Sequence, residues 1–346
     1  EMAQGRVAAG QMKAIPHHWK WREISPYLDK IARIASEADI PPVEFADRQQ
    51  FLLTNPGLGG RLQVASTIRC AVSIYNPGDV ARAHLHSPNA TRTILSQNGG
   101  YTNVEGERCE ATRGDLILTP NGTWHDHGND RGDPIVWIDT LDWPLLEFLD
   151  IIWLDEELPH GMGRDNIRAQ KTVYEPGHSR RLYGAGGIVP RFVSHQRGIG
   201  HNMSPFIHYR GADIREALQG LRGEKGCPWE GLDLAIVNPV TGGPLFPTIG
   251  YGAQMLRAGE ETRAKRETSS TVYVVMEGRG QTEVAGRTFD WEENDIFVVP
   301  NFLWRRHIAK TDAVLYTMSD APLLEKIGQY RAQGLDAAGK VTQLVA

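Results

Sequence analysis

Four histidines crowd into two short segments, His84-Leu85-His86 and His125-Asp126-His127. On a β-strand, residues two apart project from the same face, so each pair can turn both imidazoles toward one point. Three neutral imidazoles with positions left open suit iron(II), zinc, copper or nickel. The set is poor in carboxylates, which argues against calcium or magnesium. Asp126, between two histidines, should face the other way if its strand is regular. The remaining histidines stand apart from any such pattern and read as ordinary core or surface residues.

Elements that would carry these residues are β-strands. Asp115–Thr119, Pro134–Asp139, Thr271–Met276 and Asp295–Val299 are short runs rich in apolar, β-branched and aromatic residues, bounded by Gly, Pro, Asn and Asp. Many short strands between turn formers suggest a sandwich or barrel, of which the jelly roll is one solution. Helical patterning is confined to three stretches, 25–38, 212–221 and 322–333. A glycine-rich stretch over 177–200 reads as a connection.

The chain also repeats itself. Asn55-Pro-Gly-Leu-Gly-Gly60 returns as Asn238-Pro-Val-Thr-Gly-Gly243, and Thr67-Ile68 as Thr248-Ile249. Gly114-Asp-Leu-Ile-Leu-Thr-Pro120 returns as Asn294-Asp-Ile-Phe-Val-Val-Pro300, and Asp142-Trp-Pro-Leu145 as Asp320-Ala-Pro-Leu323. Matches in one order at a near-constant offset mean two copies of one module. In the second copy Lys265, Glu267 and Arg305 fall where His84, His86 and His125 stand. Lysine and arginine are protonated and cannot act as neutral ligands, so the second copy is expected to hold no metal.

Composition excludes several classes. The net charge of -5 offers no basic footprint for nucleic acid. Cys70, Cys109 and Cys227 are far apart with no C-x-x-C pair, against a disulfide scaffold or thiolate zinc site. No apolar run reaches membrane-spanning length; Phe148–Leu154 comes nearest and Asp150 interrupts it. No secretory pattern opens the chain. A soluble cytoplasmic protein is expected.

Two motifs carry a resemblance. Gly78-x5-His84-x-His86 and Gly114-x5-Pro120-x-Gly122-x2-His125-x3-Asn129 resemble the paired motifs of cupins. Many cupins carry a glutamate ligand in the first motif, where this chain has Ala90 and Thr91. A three-histidine site without carboxylate, together with Pro16–Trp21, Asn55–Gly60, Trp124–Gly128, Trp137–Asp142 and Asn238–Gly243, is similar to the bicupin gentisate 1,2-dioxygenase and salicylate 1,2-dioxygenase family. The resemblance implies a mostly β bicupin, two jelly-roll barrels with a few peripheral helices. The expected division is an arm over 1–45, a metal-bearing cupin over 46–160, a connection over 161–225 and a second cupin over 226–346.

By the same resemblance, His84, His86 and His125 bind iron(II), and the enzyme opens a hydroxylated aromatic acid with O2 between its carboxyl- and hydroxyl-bearing carbons. Arg92 and Arg48 align with arginines that receive the substrate carboxylate. His127 aligns with a histidine that bonds the substrate oxygens, and Asp126 with an aspartate of gentisate-cleaving members. Arg69 stands where salicylate-cleaving relatives carry tryptophan, and Ser73 where glutamine is expected. An added cation at Arg69 would suit a substrate with an anionic or electron-withdrawing polar substituent, such as 5-nitrosalicylate, and gentisate gains less from it; gentisate and 5-substituted salicylates both remain as substrates. A homotetramer is implied. The competing readings are a cupin dioxygenase or isomerase of non-aromatic substrates, and a bicupin binding protein without catalysis.

Overall fold

The computed structural model describes residues 13–37, 50–155, 173–192 and 203–345. Four antiparallel sheets form two barrels, so the fold is the mostly β bicupin that the sequence implies. In the first barrel one sheet runs in the order His208–Tyr209, Leu116–Thr119, Ala90–Ile94, Ile135–Leu141, Arg69–Tyr75, Gln50–Leu52. Opposite it lie Leu154–Asp155, Val80–His86, His125–Gly128, Asn98–Val104 and Glu107–Thr112. The second barrel repeats the plan. Its inner sheet orders His17–Trp19, Ile296–Val299, Thr271–Glu277, Ala313–Ser319, Gly250–Leu256 and Leu232–Ile236.

The inner sheets pack back to back. Cys70, Val72 and Ile74 share one apolar cluster with Val272, Val274, Ile296, Val298, Tyr316 and Met318 of the other module. Residues between them in sequence, such as Ser73 and Tyr273, face their own barrel. Both faces are therefore buried, which is why these strands read as near-continuous apolar runs. Each fully buried Val, Ile or Leu contributes about 1.5–3 kcal/mol, so this seam is a major stabilising element. Polar ties cross it in pseudosymmetric pairs. Thr67 Oγ1 donates to Asp320 Oδ2 at 2.6 Å and Thr248 Oγ1 to Asp142 Oδ2 at 2.5 Å.

A second tie is an exchange of edge strands. His17–Trp19 precedes the first barrel yet pairs with Ile296–Val299 of the second, while His208–Tyr209 precedes the second yet pairs with Leu116–Thr119 of the first. The same anchor holds each. His18 Nε2 lies 2.8 Å from Asp295 Oδ2, and the Trp21 amide donates to Asp295 Oδ1 at 2.6 Å. His208 Nε2 lies 2.8 Å from Asp115 Oδ2, and the Gly211 amide donates to Asp115 Oδ1 at 2.8 Å.

Three expectations shift at the helices. The first helix, Trp21–Glu37, begins ahead of residue 25. The stretch 322–333 is not one helix: Ala321–Lys326 ends before Gly328, whose φ is +69°, and Ala332–Leu335 is a strand beside Lys265–Glu267. Its Pro-Leu-Leu start supports one helical turn, and the left-handed glycine then turns the chain. The 177–200 connection contains the helix His178–Tyr183, whose Ser179 amide and hydroxyl donate to the buried Glu107 carboxylate. No described helix is long and apolar enough to cross a membrane.

Gly211 is where the exchanged segment meets the first barrel. A β-carbon there would lie 2.5 Å from the Gly114 carbonyl carbon and 2.7 Å from the Arg113 carbonyl oxygen. Backbone cannot yield as a side-chain tip does. Gly211→Ala should therefore destabilise by about 1–3 kcal/mol, read as a melting temperature several degrees lower. An unchanged melting temperature would mean that this close approach is not rigid.

Candidate active site

The histidine strands are neighbours. Val80–His86 pairs antiparallel with His125–Gly128, His84 lies directly across from His125, and a register irregularity falls between Ala81 and His84. Ring centroids are 4.3 Å apart for His84 and His125, 4.8 Å for His86 and His125, and 5.6 Å for His84 and His86. His127 lies 5.4 Å from His125 and 6.1 Å from His84. By distance alone, ring nitrogens of His84, His125 and His127 form a group within 4.8 Å of one another that could hold a metal ion.

Hydrogen bonding separates the four. A backbone carbonyl can only accept, so His125 Nδ1 donates to Thr123 O at 2.9 Å and His86 Nδ1 to Pro88 O at 2.7 Å. Each then presents a lone pair at Nε2, and that of His125 is buried with no partner. A guanidinium can only donate, so Arg92 Nη2, 2.7 Å away, occupies the lone pair of His127 Nε2. Nδ1 of His127 must then carry its proton, which it gives to Thr102 Oγ1 at 3.0 Å. His127 is committed to Arg92, whereas His125 has an unmet acceptor in a buried site. A metal ion would satisfy that atom, and imidazole donors of this kind fit one of the borderline metals.

Protonation agrees with ligation. Burial, then the neighbouring His84 and Arg92, pushes His86 down to about 3. His125 and His127 lie well below the ordinary histidine value, with burial the leading cause in both. All three are neutral near pH 7.

Arg92 is the hub of the lumen. It is buried, donates through Nη1 to Thr119 Oγ1, and sets Nε 3.3 Å from Asp139 Oδ1. Asp139 stands directly across the sheet from it and accepts from Ser73 Oγ at 2.5 Å and Trp137 Nε1 at 3.0 Å. Burial pushes the Asp139 carboxyl up, while Arg92 opposes that shift. A connected line thus runs from Thr102 through His127, Arg92 and Asp139 to Ser73. Tyr75 stacks on Trp137 at 4.5 Å and gives the chamber an aromatic wall.

The structure thus gathers His84, His86, His125, His127 and Arg92. Ser73 joins through Asp139, its hydroxyl already donated there. Arg69 shares the strand face of Ser73 and lies 5.1 Å over the Trp143 ring, where both line a 900 Å³ hollow with Glu147 and Phe148 that the histidines, Arg92 and Ser73 do not line. Asp126 is not brought in: its strand is regular, it points away from His125 and His127, and Asn103 Nδ2 donates to it at 2.8 Å. Burial pushes that carboxyl up to about 7. Arg48 lies outside the described residues. Sequence reasoning missed Asp139, although a carboxylate inside the apolar run 134–139 was a visible signal. Thr102 and Thr119 gave none.

In the second barrel Lys265 lies across from Arg305 as His84 does from His125. Lys265 Nζ is 2.7 Å from Glu230 and 3.2 Å from Glu267, and Arg305 is 2.9 and 3.3 Å from the same pair. Burial favours the neutral acid, yet Arg305 and Lys265 prevail and hold Glu230 at about 2. Ion pairs thus fill the positions that the first barrel gives to imidazoles. His307, the counterpart of His127, keeps the matching contact to Thr282 Oγ1 at 2.8 Å.

Known proteins resemble this chain over most of its length. The cupin domain family matches residues 71–141. The chain is 34% identical over 334 residues to 5-aminosalicylate 1,2-dioxygenase of Comamonas sp, covering 94% of this chain and 83% of that protein. It is 32% identical to gentisate 1,2 dioxygenase 1 of Aquipseudomonas alcaligenes, over 91% of this chain and 86% of that one. The chain belongs to the gentisate and salicylate 1,2-dioxygenase family. Salicylate 1,2-dioxygenase from Pseudoaminobacter salicylatoxidans, solved with gentisate, superposes with a TM-score of 0.83 at 30% identity, over 96% of this chain and 88% of that one. This family membership makes the protein a ring-cleaving dioxygenase.

Burial and then Arg305 lower the pKa of His307 to about 3. Its unfolded form, near 6.5, binds the proton first. The stability gained from the neutral ring is therefore complete above pH 6.5 and is lost as pH falls toward 3. Relative to His307→Gln, the wild type should lose about 2 kcal/mol between pH 7.5 and pH 5. Melting curves of both at the two pH values measure this; a constant gap would mean that the ring is protonated in the fold.

Proposed function

We propose that the chain opens the ring of gentisate or a 5-substituted salicylate with O2, using iron(II) held by His84, His86 and His125 of the first barrel. The observation that supports this reading most is the buried, unmet Nε2 of His125 beside Arg92. Iron(II), when bound, would supply an open coordination site at which the aromatic acid and dioxygen can react. The relatives named for gentisate and 5-aminosalicylate cleavage support the substrate class, and another relative, from Bradyrhizobium sp, is a 5-nitrosalicylic acid 1,2-dioxygenase.

The protein's own groups have distinct tasks. Thr119 and His127 each take one N–H of Arg92, on different terminal nitrogens. One N–H remains on each, a fork that suits a planar carboxylate. Asp139 balances the buried charge and Ser73 steadies Asp139. His127 orients Arg92 through its Nε2; a proton there would place imidazolium against guanidinium, so His127 serves as a holder in preference to a base. Tyr75 and Trp137 wall the chamber. Arg69, on the strand face of Ser73, is the group to read a ring substituent.

The decisive experiment loads the purified protein with iron(II) without oxygen and then follows oxygen uptake and ring-fission absorbance. Gentisate, salicylate, 5-aminosalicylate and 5-nitrosalicylate would be compared. Uptake with at least one is expected; none with any of them, despite bound iron, would overturn the reading. His125→Ala should lose stoichiometric iron and turnover together. Retained iron in that variant would leave His84, His86 and His127 as the ligand set instead. Arg92→Lys keeps the charge beside Asp139 but not the fork, and should raise KM about tenfold or more with iron content unchanged. An unaltered KM would take Arg92 away from the carboxylate.

A further inference from the structure

The second barrel also contains a hollow, about 560 Å³, within the usual range for small-molecule sites. It is the counterpart of the first barrel's chamber with its charge reversed. Tyr273 takes the place of Arg92, and Gly250 that of Arg69, so both cations outside the histidine positions are gone. Lys265 and Arg305 remain, but Glu230 and Glu267 consume them in close ion pairs. Asp233 and Glu325 add two more carboxylates to the lining, and Asp233 at the open rim has no ion-pair partner among the described residues. Four carboxylates thus face two cations.

Polar atoms at its base are unmet. Tyr273 and Gln254 both line the hollow and are 1% exposed, and the Tyr273 hydroxyl and Gln254 Oε1 are buried with no hydrogen-bond partner. Leaving such groups dry and unpaired costs about 1–3 kcal/mol each. Gln254 Oε1 is an acceptor only, and a tyrosine hydroxyl can accept as well as donate. The available sites therefore call for N–H donors carrying positive charge. Leu234, Ile236, Pro244 and Pro322 supply apolar wall.

We propose that this hollow is a second ligand site, for a compact organic ammonium compound, and that it rejects the aromatic acids that the first barrel admits. The two barrels then take molecules of opposite charge from one backbone plan. The contrast with aromatic acids rests on the reading proposed for the first barrel, whereas the ammonium site itself does not.

Calorimetric titration of the full-length protein with a matched series tests it. Benzylamine, benzyl alcohol and benzoate share a ring and differ in charge. At pH 7.5 benzylamine should bind with a dissociation constant below about 1 mM, and benzyl alcohol at least about tenfold more weakly. Asp233→Asn at the rim, and separately Tyr273→Phe, should each weaken benzylamine at least about fivefold and leave any benzoate signal unchanged. Melting curves show that both variants remain folded, and Asp233→Asn, being exposed, carries the test if Tyr273→Phe does not fold. Absence of benzylamine binding would overturn the proposal, since water alone would then satisfy Tyr273 and Gln254. So would benzylamine binding unaffected by Asp233→Asn, or benzoate binding that this variant strengthens or weakens.

Discussion

The apolar seam between the two inner sheets is the constraint on which the rest depends. A barrel made of one module would leave the outer face of its inner sheet, with Val72, Ile74 and Ile138 or their counterparts, in water. Packing the two faces together removes both from solvent at once. Each module then reaches across and adds the last strand to its partner's inner sheet, anchored by His18 on Asp295 and His208 on Asp115. Exchanged edges cap strands that would otherwise present unpaired backbone groups. The barrels therefore hold their relative position through side-chain packing and main-chain pairing together.

That rigidity lets the first lumen carry charge. A buried guanidinium is costly unless its neighbours are fixed and complementary. Arg92 has Asp139 directly across the strand, Thr119 on the other neighbouring strand and His127 from the opposite sheet. Each partner is set by strand register, which the two-sided burial of the inner sheet enforces: a slip of one residue would send Arg92 into the seam and Thr91 into the lumen. The network also decides which histidines are free. Arg92 removes the lone pair of His127 from competition and leaves that of His125 open.

Much of this was legible in the residues. The i, i+2 spacing of His84 and His86, and of His125 and His127, announced strands presenting rings to one interior, and the repeat announced two modules. The division of labour among the four histidines was not legible, because it rests on Arg92 Nη2 and on Thr102, contacts across sheets that spacing does not encode. Asp126 and Asp139 show the same limit from opposite sides. Asp126 drew attention as an aspartate matching gentisate-cleaving members, yet strand alternation, which its spacing already implied, turns it toward Asn103. Asp139 looked like the polar end of an apolar run, yet register sets it against Arg92. The exchanged strands went unread since His18-Trp19-Lys20 and His208-Tyr209-Arg210 match only in character, and a repeat search by identity passes over them. The helix expected over 322–333 failed at Gly328, where a local turn outweighs the helical start.

The second barrel shows what the backbone requires once the imidazoles are gone. Residues at the His84, His86 and His125 positions converge on one point, so three side chains must either share a ligand or satisfy one another. Lys265, Glu267 and Arg305 do the latter, but three such groups carry one excess positive charge, and Glu230 supplies the fourth corner. Buried ion pairs of this kind contribute little net stability over an apolar filling. Their retention beside an open hollow is thus poorly explained by stability alone. An apolar filling would also have closed the chamber, whereas the ion-paired floor leaves the Tyr273 hydroxyl and Gln254 Oε1 buried and unpaired beside it. The chamber is therefore the feature that a purely structural role for the second barrel leaves unexplained.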